Sequence, residues 1–152
     1  MSQQRNLELE PYLSAHLWLV MLKAHQAIRE LDLKSIESSG LGFSDFATLE
    51  VLLHKGPLPV NLIGEKVQLT SGSITTAIDR LEKKGLVERQ SSSSDRRIRL
   101  VHLTPSGQTL IETFFEKHLI ALEKATSGLN TEEKTILVTL LKKLGKQAKT
   151  IS

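Results

Sequence analysis

Apolar residues at Leu13, Leu17, Val20, Met21, Ala24, Ile28 and Leu31 recur at spacings of three and four, the period of one helix face. The spacing predicts a long helix from about Pro11 to Ile36, with Pro11 in its first turn, where a missing N–H costs nothing. Ser38-Ser39-Gly40-Leu41-Gly42 then reads as a turn. Ser44 is placed to cap a second helix that carries Phe46, Leu49, Leu52 and Leu53 on one face and is stopped by Gly56-Pro57. Leu62, Ile63 and Val67 mark a short third helix. Thr70 caps a fourth, with Ile74, Ala77, Ile78 and Leu81 turned inward and Gly85 closing it.

Beyond Gly85 the period changes. Leu86 to Gln90 and Ile98 to Leu103 alternate apolar with polar residues, as a two-stranded ribbon does, and the polar segment Ser91 to Arg97 between them reads as a hairpin loop. Thr104-Pro105 places a capping side chain before a proline at the first helical position. A long helix follows, with Leu110, Ile111, Phe114, Phe115, Leu119 and Leu122 on its apolar face and an end near Gly128. Asn130 with Glu133 three residues on suits a capping box for a last helix bearing Ile136, Leu137, Leu140, Leu141 and Leu144.

The order is four helices, two strands and two helices. The fold class expected is mainly α with a small two- or three-stranded wing, a winged helix-turn-helix. The organisation expected is an N-terminal dimerisation helix over 1–42, a winged helix-turn-helix lobe over 43–104 and C-terminal dimerisation helices over 105–152. Wide apolar faces on the end helices must be buried somewhere, and pairing with a second copy does so, which predicts an obligate-type helical homodimer.

The chain has 152 residues and no cysteine, which excludes disulfides, thiolate metal sites and cysteine redox sensing. No apolar run approaches the ~20 residues that span a bilayer. The first residues lack a signal-peptide core, so no membrane association and a cytoplasmic location are expected. Between Gly56 and Thr104 lie eight Lys or Arg against five acids, so the whole formal charge of +3 falls in that segment and the remainder is neutral. A local basic excess on a neutral chain suits a polyanion-binding module, although a solvated helix face would carry the same imbalance.

The chemistry of the fourth helix sharpens that reading. The second helix of a helix-turn-helix must present short polar groups at its exposed first turns to enter a major groove. Here those turns offer Ser71, Ser73, Thr75 and Thr76, with Gly72 allowing close backbone approach and Arg80 one turn on, able to reach a guanine edge or the backbone. One helix start needs one cap, Thr70, and the other hydroxyls have no capping role to fill. The hairpin carries Asp95, Arg96, Arg97 and Arg99, and an arginine at such a tip can enter a minor groove. Asp95 is read as orienting Arg97.

At these residues the chain resembles the MarR (multiple antibiotic resistance regulator) family. The resemblance runs from Phe43 to Gln108 through Gly56-Pro57-Leu58, Leu69 to Thr75, Asp79 to Val87, Asp95-Arg96-Arg97 and Leu103-Thr104-Pro105-Ser106-Gly107. It implies a triangular homodimer, a recognition helix in the major groove, a wing arginine in the minor groove and pseudo-palindromic operators on double-stranded DNA. It also implies a repressor released by a small aromatic or phenolic effector, in a pocket where the dimer helices meet the lobe. Trp18, Met21, Phe46 and Phe114 are the candidate lining, and their helical spacing fits plain core as well. The chain departs from the family where Thr76 stands for a frequent arginine, where Pro59 replaces a common threonine cap, and where Ser91 to Ser94 lack a frequent proline.

Other readings are a winged-helix adaptor that binds protein instead of DNA and a zinc-responsive regulator. His16 and His25 are nine residues apart, about 180° around a helix. His54, His102 and His118 lie on separate elements without a ligand doublet, so all five are read as surface or interface histidines, with no metal and no cofactor expected. No nucleophile elbow, zinc-protease motif or phosphate-cradling loop is present, and Gly64-Glu65-Lys66 lacks P-loop spacing, so no enzyme is expected.

Overall fold

Six helices and a three-stranded antiparallel sheet make up the computed structural model, which describes residues 2–93 and 97–151. In chain order these are α1 (Ser2–Glu37), α2 (Phe43–Lys55), β1 (Leu58–Pro59), α3 (Val60–Val67), α4 (Ser71–Lys83), β2 (Val87–Ser91), β3 (Arg99–Leu103), α5 (Pro105–Ala125) and α6 (Thr131–Ile151). The strand order is β1-β3-β2, with Val87 opposite Leu103 and Leu58 opposite Val101. The sheet therefore has a third, edge strand beyond the two that alternation shows. Two residues are too few for alternation to register, and Pro59, which has no N–H to give a ladder, is tolerated at an edge.

Local capping accounts for several boundaries. Thr70 accepts from the Ser73 N–H at the start of α4, and Thr104 accepts from the Gly107 N–H at the start of α5. The Asn130 side chain accepts from the Glu133 N–H while the Glu133 carboxylate accepts from the Asn130 N–H, the reciprocal pair of a capping box. Pro59 precedes α3 with no side-chain cap, so that helix start lacks the bond a threonine would supply. Two expectations are corrected. α1 begins at Ser2, because strong helix formers such as Gln3, Gln4, Arg5 and Leu7 carry the helix through Pro11 despite the backbone bond lost there. Gly42, not Ser44, takes the cap position of α2; Phe43 packs on the core and is drawn into the first turn.

The core gathers Phe46, Leu49 and Leu52 of α2, Ile63 of α3, Ile74, Ile78 and Leu81 of α4, and Val87 and Val101 of the sheet. Ile36 and Leu41 before α2 and Ile111 of α5 join the same cluster. The turn between α3 and α4 is made by Gln68 at φ 57, and Gly64 allows the two helices to close, since a Cβ there would lie 3.2 Å from the Ile74 side chain. By contrast α6 buries none of its residues, and Leu137, Leu140, Leu141 and Leu144 are exposed, as are Leu13, Leu17, Val20 and Leu31 of α1. No helix among the described residues is long and apolar enough to cross a membrane.

Candidate nucleic-acid interface

The apolar stripe Ile74, Ala77, Ile78 and Leu81 fixes the rotation of α4, turning Ser71, Gly72, Ser73, Thr75, Thr76 and Arg80 outward, where all six are exposed. Thr75 and Thr76 each donate their hydroxyl hydrogen to the carbonyl one turn back, on Ser71 at 2.8 Å and Gly72 at 2.9 Å. Their outward oxygens are thereby left as acceptors, suited to base amino groups. Ser73 accepts from the Thr70 hydroxyl at 2.9 Å and keeps its own hydrogen to donate. A Cβ on Gly72 would meet nothing within 4 Å, so nothing in the described chain requires glycine at that position.

The wing reaches the same face. Arg97, Ile98 and Arg99 line one groove with Ser71, Thr75 and Asn61, of about 440 Å³. Both halves expected of the site therefore adjoin, with Arg97 and Arg99 exposed. Asp95 and Arg96 lie outside the described residues, and with them the expected pairing of Asp95 to Arg97.

Sequence reasoning missed the ion pairs that hold this face rigid. Arg89 on β2 pairs with Asp79 at 2.6 Å and with Glu82, both on α4, which fixes the wing against that helix. Arg80 pairs with Asp45 of α2 through Nη2 at 2.6 Å and Nε at 3.4 Å, and Nη2 also donates to the Ser44 hydroxyl at 3.1 Å. The Asp45 hydrogen bond holds the Arg80 guanidinium above its usual pKa. A signal for Asp45 existed: it stands one turn before Leu49 on the buried stripe of α2, where a carboxylate must find a cation.

A second region lies on the other side of α2. A cavity of about 510 Å³ is lined by Asp32 and Ile36 of α1, Phe43, Phe46, Glu50 and His54 of α2, and His118 of α5, among others. Phe46 is the one residue of the expected ligand lining that borders it. Trp18 is 62% exposed, and Phe114 borders a separate shallow groove with Pro105 and Thr109. Helical spacing identifies a face but not the level at which it meets the lobe, and Trp18 stands about 20 Å along α1 from Asp32. Met21 borders neither. His118 is likewise not a surface residue. It is 4% exposed, with Nε2 3.3 Å from Asp32 and Nδ1 3.1 Å from the Ser35 hydroxyl, packed edge-on to Phe46. Among the described residues no three His, Asp or Glu gather as a metal site.

Burial pushes the Glu50 carboxyl up from 4.5, with Asp32 adding to the rise and His118 and His54 opposing it. The folded chain therefore holds a proton that the unfolded chain releases, and stability falls as pH climbs from 4.5 through the raised value. Glu50→Gln keeps the neutral form throughout. Its melting temperature is expected to gain on the parent as pH rises above 4.5; a gap independent of pH would exclude a raised Glu50 as its cause.

Comparison with known proteins agrees with this geometry. A model of the MarR family matches residues 44–98. The chain is 38% identical to the HTH-type transcriptional regulator MhqR of Bacillus subtilis (strain 168) over 136 residues, 90% of this chain and 94% of that one. A probable transcriptional regulator from Pseudomonas aeruginosa superposes with a TM-score of 0.72 at 28% identity, over 87% of this chain and 98% of that one. BpsR of Bordetella bronchiseptica, whose DNA binding is regulated by 6-hydroxynicotinic acid, superposes with a TM-score of 0.72 at 25% identity, over 83% of this chain and 90% of that one.

Proposed function

The chain belongs to the MarR family, whose members are DNA-binding transcriptional regulators and not enzymes, and from that membership we propose a cytoplasmic repressor that binds pseudo-palindromic operators as a homodimer. The observation that carries the reading is the common groove in which the hydroxyl-bearing start of α4 meets Arg97 and Arg99 of the wing. In it α4 enters a major groove through Ser71, Gly72, Ser73, Thr75 and Thr76, and the wing tip, Asp95 to Arg99, reaches the adjacent minor groove.

Residues 43–104 form the reading lobe in this proposal, and the helices over 1–42 and 105–152 pair with a second copy. The bare apolar side chains of α1 and α6 support that pairing, since a solvent-exposed apolar patch of this extent otherwise invites aggregation. The pairing sets the two recognition helices about one DNA turn, ~34 Å, apart. A small aromatic effector in the cavity between α1, α2 and α5 would change that separation and release the operator. Phe46 supplies an apolar wall there, and the response of BpsR to an aromatic acid supports an effector of this class.

The test is duplex binding by the full chain at several salt concentrations, with the DNA upstream of its own coding region as probe. The logarithm of affinity should fall linearly with the logarithm of salt, losing about tenfold or more between roughly 50 and 200 mM. Affinity that is weak and indifferent to salt would favour the adaptor reading. Sedimentation of the free protein should give twice the 16.9 kDa chain mass.

A further inference from the structure

Arg80 stands at the edge of the reading face, in a shallow groove with Ser44, Thr70, Gly72, Ser73 and Thr76. How it can contact DNA depends on which of its donors are already spent. The guanidinium carries five N–H groups, and recognition of a guanine edge requires two parallel ones on adjacent nitrogens. The Nε and Nη2 edge is closed on the two Asp45 oxygens, at 3.4 and 2.6 Å. The remaining Nη2 hydrogen meets the Ser44 hydroxyl at 3.1 Å, so the Nη1 and Nη2 edge is also incomplete. Nη1 alone is without a partner among the described residues. Its two hydrogens diverge, which suits a single acceptor such as a phosphate oxygen.

Asp45 is well placed to enforce this. Its side chain is 4% exposed while that of Arg80 is 46% exposed, so the carboxylate is sealed beneath α4 and the guanidinium is the part that meets solvent. Lys84 approaches the same carboxylate at 3.6 Å, leaving two cations over one buried anion and a local positive excess toward a duplex. We infer that Asp45 is a positioning residue that commits Arg80 to one contact with the phosphate backbone and withholds it from base reading. The inference rests on the DNA-reading role proposed above and adds to it a division of labour, in which α4 hydroxyls read bases and Arg80 sets register.

The experiment selects binding sequences from a random duplex library with the full chain. It then measures affinity for the selected duplex and a scrambled one in parent, Arg80→Lys, Arg80→Ala, Asp45→Asn and the Asp45→Asn/Arg80→Ala double variant. Arg80→Lys retains a cation that can touch phosphate but cannot present a fork. It is expected to lower affinity about threefold for both duplexes and to select the same consensus, and Arg80→Ala to reduce the salt slope by about one. Loss of a guanine from the consensus in Arg80→Lys, with at least tenfold weaker binding to the selected duplex alone, would overturn the inference. Asp45→Asn should weaken binding where Arg80 is present and cause no loss in the Arg80→Ala background. Loss in both backgrounds would make Asp45 a support for the whole of α4, and stronger binding to both duplexes in the parent background would mean that Asp45 holds Arg80 away from the phosphates; either overturns the positioning role. Failure of the parent chain to enrich any sequence or bind any duplex would overturn the DNA-reading role itself, a result distinct from a changed consensus.

Discussion

Replacing Gly107 with alanine is expected to destabilise the folded chain by about 3 kcal/mol, the upper part of the range for overpacking a tight contact. For a chain of this length that corresponds to roughly 10 °C in melting temperature. Gly107 lies in the first turn of α5, directly against the backbone of Leu86. A Cβ there would fall far inside van der Waals contact distance of the Leu86 carbonyl oxygen and 2.8 Å from its carbonyl carbon. Backbone cannot rotate away as a side chain can, so α5 or the turn before β2 must move. That movement would strain a set of bonds made at the same junction. The Thr104 N–H donates to the Leu86 carbonyl at 3.1 Å, and the Thr104 hydroxyl donates to the Gly85 carbonyl at 2.6 Å while accepting from the Gly107 N–H. Gly128→Ala, where a Cβ meets nothing within 4 Å, serves as the comparison and should melt within about 1 °C of the parent. Equal melting of the two variants would show that α5 is not clamped to Leu86.

The second large effect concerns binding and not folding. Thr76→Glu is expected to lower duplex affinity at least tenfold at about 0.1 M salt, roughly 1.4 kcal/mol, because it sets a carboxylate against the phosphates flanking the groove. Thr76 is exposed and its only hydrogen bond in the described structure returns to its own helix at Gly72, while glutamate favours helix more than threonine does. Thermal stability should therefore stay within about 0.5 kcal/mol. Thr113→Glu makes the same charge change at a residue with the same type of bond, to Thr109 on α5, and should leave affinity within about twofold. Equal losses at both positions, with both variants still sedimenting as the parent does, would mean that net charge alone, and not the α4 face, governs binding.

The two predictions draw on differently legible parts of the molecule. That Thr76 faces outward follows from Ile74, Ala77, Ile78 and Leu81, whose spacing fixes how α4 must turn before any coordinate is known. The reason for glycine at 107 is invisible in the same way of reading. Gly107 is recognisable within a motif, but the atom that excludes a Cβ belongs to Leu86, across the wing. Asp45 and His118 occupy an intermediate case. Each is a polar residue on an apolar helical stripe, which announces that a partner is needed without saying which. The partners are 35 positions away for Asp45 and 83 for the Ser35 hydroxyl bonded to His118.

Periodicity and local chemistry determined the order of helices and strands, the caps at Thr70, Thr104 and Asn130, the outward face of α4 and the family. All of these depend on interactions within a turn or two of chain, so a short window of residues contains their cause. Tertiary structure decided the rest: the edge strand at Leu58–Pro59, the anchoring of Arg80 by Asp45, the bracing of the wing through Arg89, the cavity that includes Phe46 but neither Trp18 nor Phe114, and the clamp at Gly107. Each depends on which distant atoms come within a few ångströms of one another. That follows from how α2 to α5, the end of α1 and the three strands pack around one core, and no local pattern encodes it.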